Sequence, residues 1–118
     1  MKWYIAKIVF QIICGDGKHT AQFDEQLRLI FAENAEAAFE NASLLGTSEA
    51  ETFYNQKDQL VQWKFIDVSD IYQLSLIDNA ELCSKIQEVE AAQDYISLVH
   101  AKAEQIKQKH SHNFLQLL

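Results

Sequence analysis

Glu25 is the residue of this chain whose position most favours acid–base chemistry. It interrupts a row of apolar residues that alternate with polar ones: Ala21, Phe23, Leu27, Leu29 and Phe31. A strand with this row turned inward would bury the Glu25 carboxyl group. An unpartnered carboxyl group in such a site resists ionisation and can serve as a general acid or base. The alternative, which we favour, is a bulge at residues 24–26 that turns Glu25 to solvent.

Asp67 and Asp70 form a second candidate pair. They flank a predicted bend that follows Trp63, where a strand end could meet solvent. Paired carboxylates bind hard cations or take part in acid–base catalysis. Aspartate and serine are also common in turns, because their side chains bond to nearby backbone groups. We favour the turn.

The histidines and cysteines do not form a metal-binding or catalytic set. His110 and His112 are two positions apart, and His100 lies ten positions before His110. This spacing does not place both rings on one helix face, as i,i+4 spacing would. Cys14 and Cys83 are too few and too far apart for a metal motif or a disulfide framework, so we expect reduced, partly buried thiols. We therefore expect no metal and no cofactor, and favour a non-enzymatic protein.

Length and composition indicate one domain with a single core. The chain has 118 residues, 48% of them hydrophobic, with no proline and three glycines, so its elements should be long. The net charge of −7 and the scattered basic residues argue against nucleic acid as a partner. Lys7 and Gln11 interrupt the apolar run at the start, which argues against a signal peptide. We expect a cytoplasmic protein that contacts no membrane.

The first thirty residues predict a long β-hairpin. Its first strand alternates from Trp3 to Cys14, and Asp16-Gly17 suits a two-residue type I′ turn. Such a turn pairs residues whose numbers sum to 33, so Phe10 would face Phe23 beneath the first helix, and Glu25 would face Ile8. His19, beside the turn, should be exposed. The second face of this hairpin is also rich in apolar residues, namely Trp3, Ile5, Val9, Ile13 and Ile30, so we expect something to cover it. The candidates are the C-terminal helix of the same chain, the second hairpin, a ligand and a partner subunit; we favour cover from within the chain, followed by a homodimer.

The middle of the chain predicts one helix, a second hairpin and a short closing strand. Asn34 is the predicted N-cap of a helix that ends at Leu45 with Gly46 at the C′ position. Residues 52–55 and 60–66 predict the hairpin, and alternation resumes after a bulge or tight bend at residues 67–70. Residues 81–86 predict the closing strand. The expected fold class is α+β, with an antiparallel sheet of about five strands.

The last part of the chain, residues 87–118, predicts an amphipathic helix and an apolar tail. The helix should span Gln87 to about Lys109. It carries a narrow apolar stripe, which is typical of the seam between two paired helices. The tail from Phe114 to Leu118 is expected either to fold back onto the domain or to pack against another chain. Residues 3–86 would then form the α+β core of a single domain that spans residues 1–118.

Three segments resemble an uncharacterised bacterial family, catalogued as domain of unknown function 4288. They are Trp3-Tyr4-Ile5-Ala6, Arg28-Leu29-Ile30 followed by Ala32-Glu33-Asn34-Ala35-Glu36-Ala37-Ala38, and the block from Trp63 to Leu74. The likeness covers about residues 3–86 and includes the predicted closing strand, whereas the C-terminal helix and tail lie outside it. It implies the fold of this family. It implies no reaction, because the shared motifs are hydrophobic patterns without a catalytic signature.

Three functional hypotheses stay open. The leading one is a non-enzymatic binding or interaction protein that forms a homodimer through the sheet face carrying Trp3 and through the C-terminal helix. The rival is a small ligand-binding protein or enzyme whose pocket lies between sheet and helix, with Glu25, Asp67 and Trp63 at its mouth. The third, which rests on size and acidity, is a regulatory or immunity-type partner of another bacterial protein. The ligand or interface candidates are Trp3, Glu25, Trp63, Asp67 and Tyr72.

Overall fold

The fold is a four-stranded antiparallel sheet followed by a separate helical unit, in a computed structural model that describes residues 1–109. The elements in chain order are β1 (Lys2–Cys14), β2 (Gln22–Ala32), α1 (Ala35–Glu49), β3 (Glu51–Tyr54), β4 (Leu60–Gln73) and α2 (Ala92–Lys109). The strands lie in the order β2-β1-β4-β3. Residues 1–84 form one compact unit, and α2 belongs to a second that begins at Lys85. The α+β class is confirmed.

The sheet has four strands, and the predicted closing strand at residues 81–86 is wrong. Leu82 is 48% exposed and Ile86 is 95% exposed, so the segment buries little apolar surface. Without that burial, the conformational entropy lost when a strand is ordered is not compensated. The helix α2 also begins at residue 92 rather than 87.

The register of the first hairpin differs by one residue from the predicted one. β1 and β2 pair residues whose numbers sum to 34, so Phe10 faces Asp24 and not Phe23. The reason lies in the connection: a type I′ turn needs positive φ at both central residues, but only Gly15 and Gly17 have it in this loop, at 58° and 80°. The loop continues to residue 21, so the turn does not set the register. A shift of one residue moves the whole apolar row of β2 to the other face of the sheet.

The core lies between α1 and one face of the sheet, which we call the inner face. It consists of buried residues from the sheet (Tyr4, Ala6, Ile8, Phe10, Ile30, Ala32 and Val68) and from the helix (Ala38 and Ala42). On β2 only Ile30 and Ala32 are buried, so this strand contributes little more than its last residues to the core. Phe10 and Phe65 meet edge to face with ring centroids 6.0 Å apart.

The helix α1 begins as predicted but ends four residues later. The Asn34 side chain caps it by accepting a hydrogen bond from the backbone N–H of Ala37 at 2.8 Å. The predicted end at Leu45 with a C′ glycine is wrong, since the helix continues to Glu49 and contains Gly46. Gly46 is buried, and a Cβ atom at this position would overlap the ring of Phe65. Its role is therefore close packing and not termination.

The irregularity predicted at residues 67–70 is a bulge within one long strand. β4 runs from Leu60 to Gln73, and its register with β1 shifts between Lys7 and Ile8 and again between Val9 and Phe10. Ser69 and Ile66 are the residues left without a partner on β1. The shifts keep Phe65, Val68 and Ile71 on the inner face. The second hairpin is confirmed, since β3 pairs with β4 from Glu51 opposite Trp63 to Tyr54 opposite Leu60.

The second unit contains α2, an amphipathic helix of 18 residues. Its apolar side chains include Ile96 and Val99, which are 43% and 47% exposed. The residues from 110 onward, including His110, His112 and the apolar tail, lie outside the described residues.

Candidate functional site

The face of the sheet opposite α1, which we call the outer face, carries a cluster of exposed apolar side chains. It comprises Trp3 and Ile5 of β1, Leu27, Leu29 and Phe31 of β2, and Tyr72 of β4, and we call this set the apolar patch. The register places Ile5 between Leu29 and Tyr72, with Trp3 beside Phe31. Leu29 is 61% exposed and Phe31 is 47% exposed. Neighbouring strands therefore join their apolar residues into one surface.

Aromatic packing organises one end of this patch. The rings of Trp3 and Phe31 lie with centroids 4.7 Å apart and a tilt of 39°. Such contacts orient both rings on the sheet without burying them. The apolar patch is thus a locally ordered surface and not a set of isolated apolar residues.

Charged residues of both signs border the apolar patch. Lys7 lies next to Leu27, and its Nζ atom is 3.9 Å from Oδ2 of Asp70. Ser69 Oγ donates to the same oxygen at 3.0 Å, and the Tyr72 hydroxyl donates to Asp70 Oδ1 at 3.5 Å. The Lys7–Asp70 pair therefore marks the boundary between the apolar patch and the more polar part of the outer face.

A chain of polar side chains, which we call the polar ladder, crosses the inner face of the sheet. Arg28 Nη1 and Nη2 donate to both carboxylate oxygens of Glu49 at 2.6 and 3.0 Å, and Arg28 Nη1 also donates to Gln26 Oε1 at 3.1 Å. Asp24 Oδ2 accepts from Gln26 Nε2 at 2.7 Å and from Trp63 Nε1 at 3.3 Å. The polar ladder therefore ties β2 to the end of α1 and, across β1, to β4.

The Arg28–Glu49 pair perturbs both of its members. The hydrogen bonds from Arg28 lower the pKa of Glu49, and the hydrogen bonds to Glu49 raise the pKa of Arg28. Both effects stabilise the charged forms, as a bidentate arginine–carboxylate pair does. Sequence reasoning missed this pair. The available signal was the alternating polar row Asp24, Gln26 and Arg28, which the wrong register assigned to the outer face.

The structure brings four of the five candidate residues to one face. Trp3, Glu25, Asp67 and Tyr72 lie on the outer face, whereas Trp63 lies on the inner face and is half-buried. Glu25 lies opposite Val9 and is exposed, as the favoured prediction had it, whereas the alternative of burial opposite Ile8 is wrong. No bulge is needed to expose it, because β1 and β2 pair without interruption. Glu25 and Asp67 therefore cannot share with Trp63 the mouth of a pocket between sheet and helix.

The two aspartates of the second candidate pair do not flank a turn. Asp67 and Asp70 lie within β4 on either side of the bulge at Ser69. Asp67 Oδ1 accepts from the backbone N–H of Val68 at 2.8 Å, and Asp70 faces Lys7. Among residues 1–109 no group of three or more His, Cys, Asp or Glu side chains could hold a metal ion.

His19 organises the end of the first hairpin. Its Nε2 atom accepts a hydrogen bond from the backbone N–H of Cys14 at 3.0 Å, so the Nδ1 atom carries the proton that is donated to the Thr20 carbonyl at 2.8 Å. His19 is exposed, as predicted. Cys14 is half-buried, but Cys83 is exposed rather than partly buried, and both are free thiols. The His19 contacts connect the end of β1 to the loop that leads to β2.

The comparisons with known proteins identify a family and nothing more specific. No curated protein and no solved structure matches the chain. No helix within residues 1–109 is long and apolar enough to cross a membrane. One family pattern matches residues 3–84, which contain all of the sheet except Lys2, together with α1 and the apolar patch. The match spans most of the chain, and the protein therefore belongs to the family described as Domain of unknown function (DUF4288).

Proposed function

We propose that this protein is a non-enzymatic, cytoplasmic interaction module that forms a homodimer through the outer face of its sheet. The observation that carries the proposal is the apolar patch, in which six neighbouring apolar residues share one face and five of them are 37–61% exposed. Contiguous exposed apolar surface of this kind is typical of interaction sites. Its removal from water contributes about 25 cal/mol for each Å² of apolar surface buried, from which the entropic cost of association is subtracted.

A second copy of the chain fits this face because the charges at its boundary are self-complementary. Lys7 and Asp70 are neighbours of opposite sign, and each side chain is about a third exposed, at 34% and 35%. A twofold-related copy can place its own Asp70 against Lys7 and its Lys7 against Asp70. Opposite charges would then meet twice in one interface, and closed twofold pairing is the commonest form of oligomer.

The exposed apolar residues of β2 also support a second copy of the chain as the partner. β2 is an edge strand of eleven residues, and its outer-face residues Phe23, Leu27, Leu29 and Phe31 are all exposed. Long apolar edge strands attract other chains unless they are covered. A dimer that buries the outer face would remove these four exposed side chains from water.

The experiment measures molar mass in solution by light scattering. The Leu29→Glu substitution adds a charge at the centre of the apolar patch, and the control Leu44→Glu adds the same charge on α1, where Leu44 is 70% exposed. We expect the wild-type chain and the control to be dimers and the Leu29→Glu variant to be a monomer at the same micromolar concentration. Circular dichroism would establish that each variant is folded.

Two outcomes would contradict the proposal. One is a monomeric wild-type chain, which would show that a second copy does not cover the outer face. The other is a folded Leu29→Glu variant that remains dimeric, because the contact would then lie elsewhere on the chain.

A further inference from the structure

The helix α2, in the second unit, carries a regular apolar stripe. Its members are Ala92, Ile96, Val99, Ala103 and Ile106, which are separated by four, three, four and three positions. Ile96 and Val99, in the middle of the stripe, are 43% and 47% exposed. Alternating four and three is the spacing of a helix whose apolar residues all face one partner.

Basic and neutral residues border this stripe on both sides. At about 100° per residue, Tyr95 and Lys102 lie along one edge, and His100 and Lys107 lie along the other. The acidic residues Asp94 and Glu104 are farther from the stripe. Glu104 contacts Lys107 at 3.2 Å, but both side chains are more than 60% exposed, so the pair is worth little.

These borders disfavour pairing of α2 with a second α2. In a parallel pair, Lys102 of one helix would lie across from Lys107 of the other, because flanking positions five residues apart become neighbours. In an antiparallel pair, the edge that carries Lys102 would face the same edge of the other helix, and so would the edge that carries Lys107. Lysine side chains would therefore approach other lysine side chains. A homodimer through this helix would therefore place like charges together, and like charges placed opposite each other are destabilising.

We infer that α2 docks as a helix into an apolar groove of another protein whose rim carries Asp and Glu side chains. Ile96, Val99 and Ile106 would be the anchors, and the small Ala92 and Ala103 would allow close approach. Lys102 and Lys107 would pair with the acidic rim and set the orientation. This inference concerns a second surface and a second partner, and it does not depend on the proposed homodimer.

The experiment titrates the full chain into two fluorescent helical peptides and follows anisotropy at low salt. Both peptides have Leu and Ile at the seam positions; one has Glu and the other has Lys at the flanking positions. We expect the acidic peptide to bind about tenfold more tightly than the basic one, a difference of about 1.4 kcal/mol. The order should reverse for the double substitution Lys102→Glu and Lys107→Glu, and rising salt should reduce the preference of the wild type.

The control variant carries Lys18→Glu and Lys57→Glu, which change the net charge by the same amount at exposed positions outside α2. It should keep the wild-type preference. The inference is overturned if neither peptide binds the wild type, if both bind equally, or if the charge-reversed α2 variant, shown to be helical by circular dichroism, keeps the original order.

Discussion

Gly46 lies in the last turn of α1, and glycine inside a helix normally costs stability. The reason for a glycine here is the close contact of the helix with the sheet. A Cβ atom there would overlap the Phe65 ring and approach Ile8 Cγ2 to 3.1 Å. We expect Gly46→Ala to destabilise the fold by about 1–3 kcal/mol through overpacking. In an uncrowded helix the same change stabilises by about 1 kcal/mol. The midpoint of urea unfolding measures the effect.

The exposed Asn41 on the same helix provides the control for this substitution. Asn41→Ala should leave stability unchanged or raise it slightly, since alanine has the better helix propensity. If Gly46→Ala also raised the urea midpoint, α1 would not pack on Phe65 as closely as the structure shows.

The Arg28–Glu49 pair predicts a pH dependence of stability. Because Arg28 lowers the pKa of Glu49 in the folded chain, this contribution is fully present above the ordinary pKa of glutamate. It is lost as pH falls through the lowered pKa of the folded state. We expect wild type to be more stable than Glu49→Gln near neutral pH and the difference between their urea midpoints to narrow on acidification. The control is Glu81→Gln, at an exposed position: the difference between its urea midpoint and that of wild type should not narrow on acidification. If both differences changed equally with pH, the assignment of the effect to Glu49 would be refuted.

At the scale of elements, the decisive feature is the register between β1 and β2. Val9 and Glu25 are Cα partners on the outer face. Partners on antiparallel strands lie about 4.5–5.5 Å apart, within the range that a disulfide spans. With Cys14 and Cys83 replaced by Ser, the pair Val9→Cys and Glu25→Cys should therefore oxidise to an intramolecular disulfide, detectable by mass spectrometry and gel mobility.

The alternative register supplies the control. Val9→Cys with Asp24→Cys would be partners if residue numbers summed to 33, but in the structure these side chains point to opposite faces of the sheet. Preferential oxidation of this second pair would show that the predicted register is right and the apolar patch is misplaced.

The strand β4 shows that a sequence pattern can predict an irregular segment correctly without predicting how the strand pairs with its neighbour. The break in alternation at residues 67–70 predicted a bulge or bend, and the structure has the bulge at Ser69. The second register shift, at Ile66, also has a signal in the sequence, because Ile66 directly follows Phe65 and two adjacent apolar residues interrupt the alternation. The prediction assigned the whole irregularity to residues 67–70, and the pairing with β1 shows that it consists of two separate shifts.

At the scale of the whole molecule, the two compact units predict that the sheet folds without α2. A chain that ends at Ser84 contains the core, the apolar patch and the polar ladder. We expect this fragment to unfold cooperatively in urea and to form the same dimer as the full chain, because all proposed contacts lie in its sheet. A fragment that unfolds without a cooperative transition would contradict the division into units.

The same fragment separates the two proposals. It lacks α2, so it should bind neither helical peptide. Its molar mass in solution should still be that of a dimer. The family match covers residues 3–84, so the homodimer is proposed for the part of the chain that defines the family. The docking of α2 is proposed for a segment outside that match.

The sequence by itself determined most of the elements, though not the absence of a strand at residues 81–86, because helix caps, alternation and apolar spacing are properties of neighbouring residues. Asn34 as N-cap, the second hairpin and the amphipathic character of α2 were all readable in this way. Tertiary structure decided which face of each strand is buried. With glycines at positions 15 and 17 the hairpin loop is too long to set the register, so α1, packed closely through Gly46, buries Ile30 and leaves Leu29 and Phe31 in solvent.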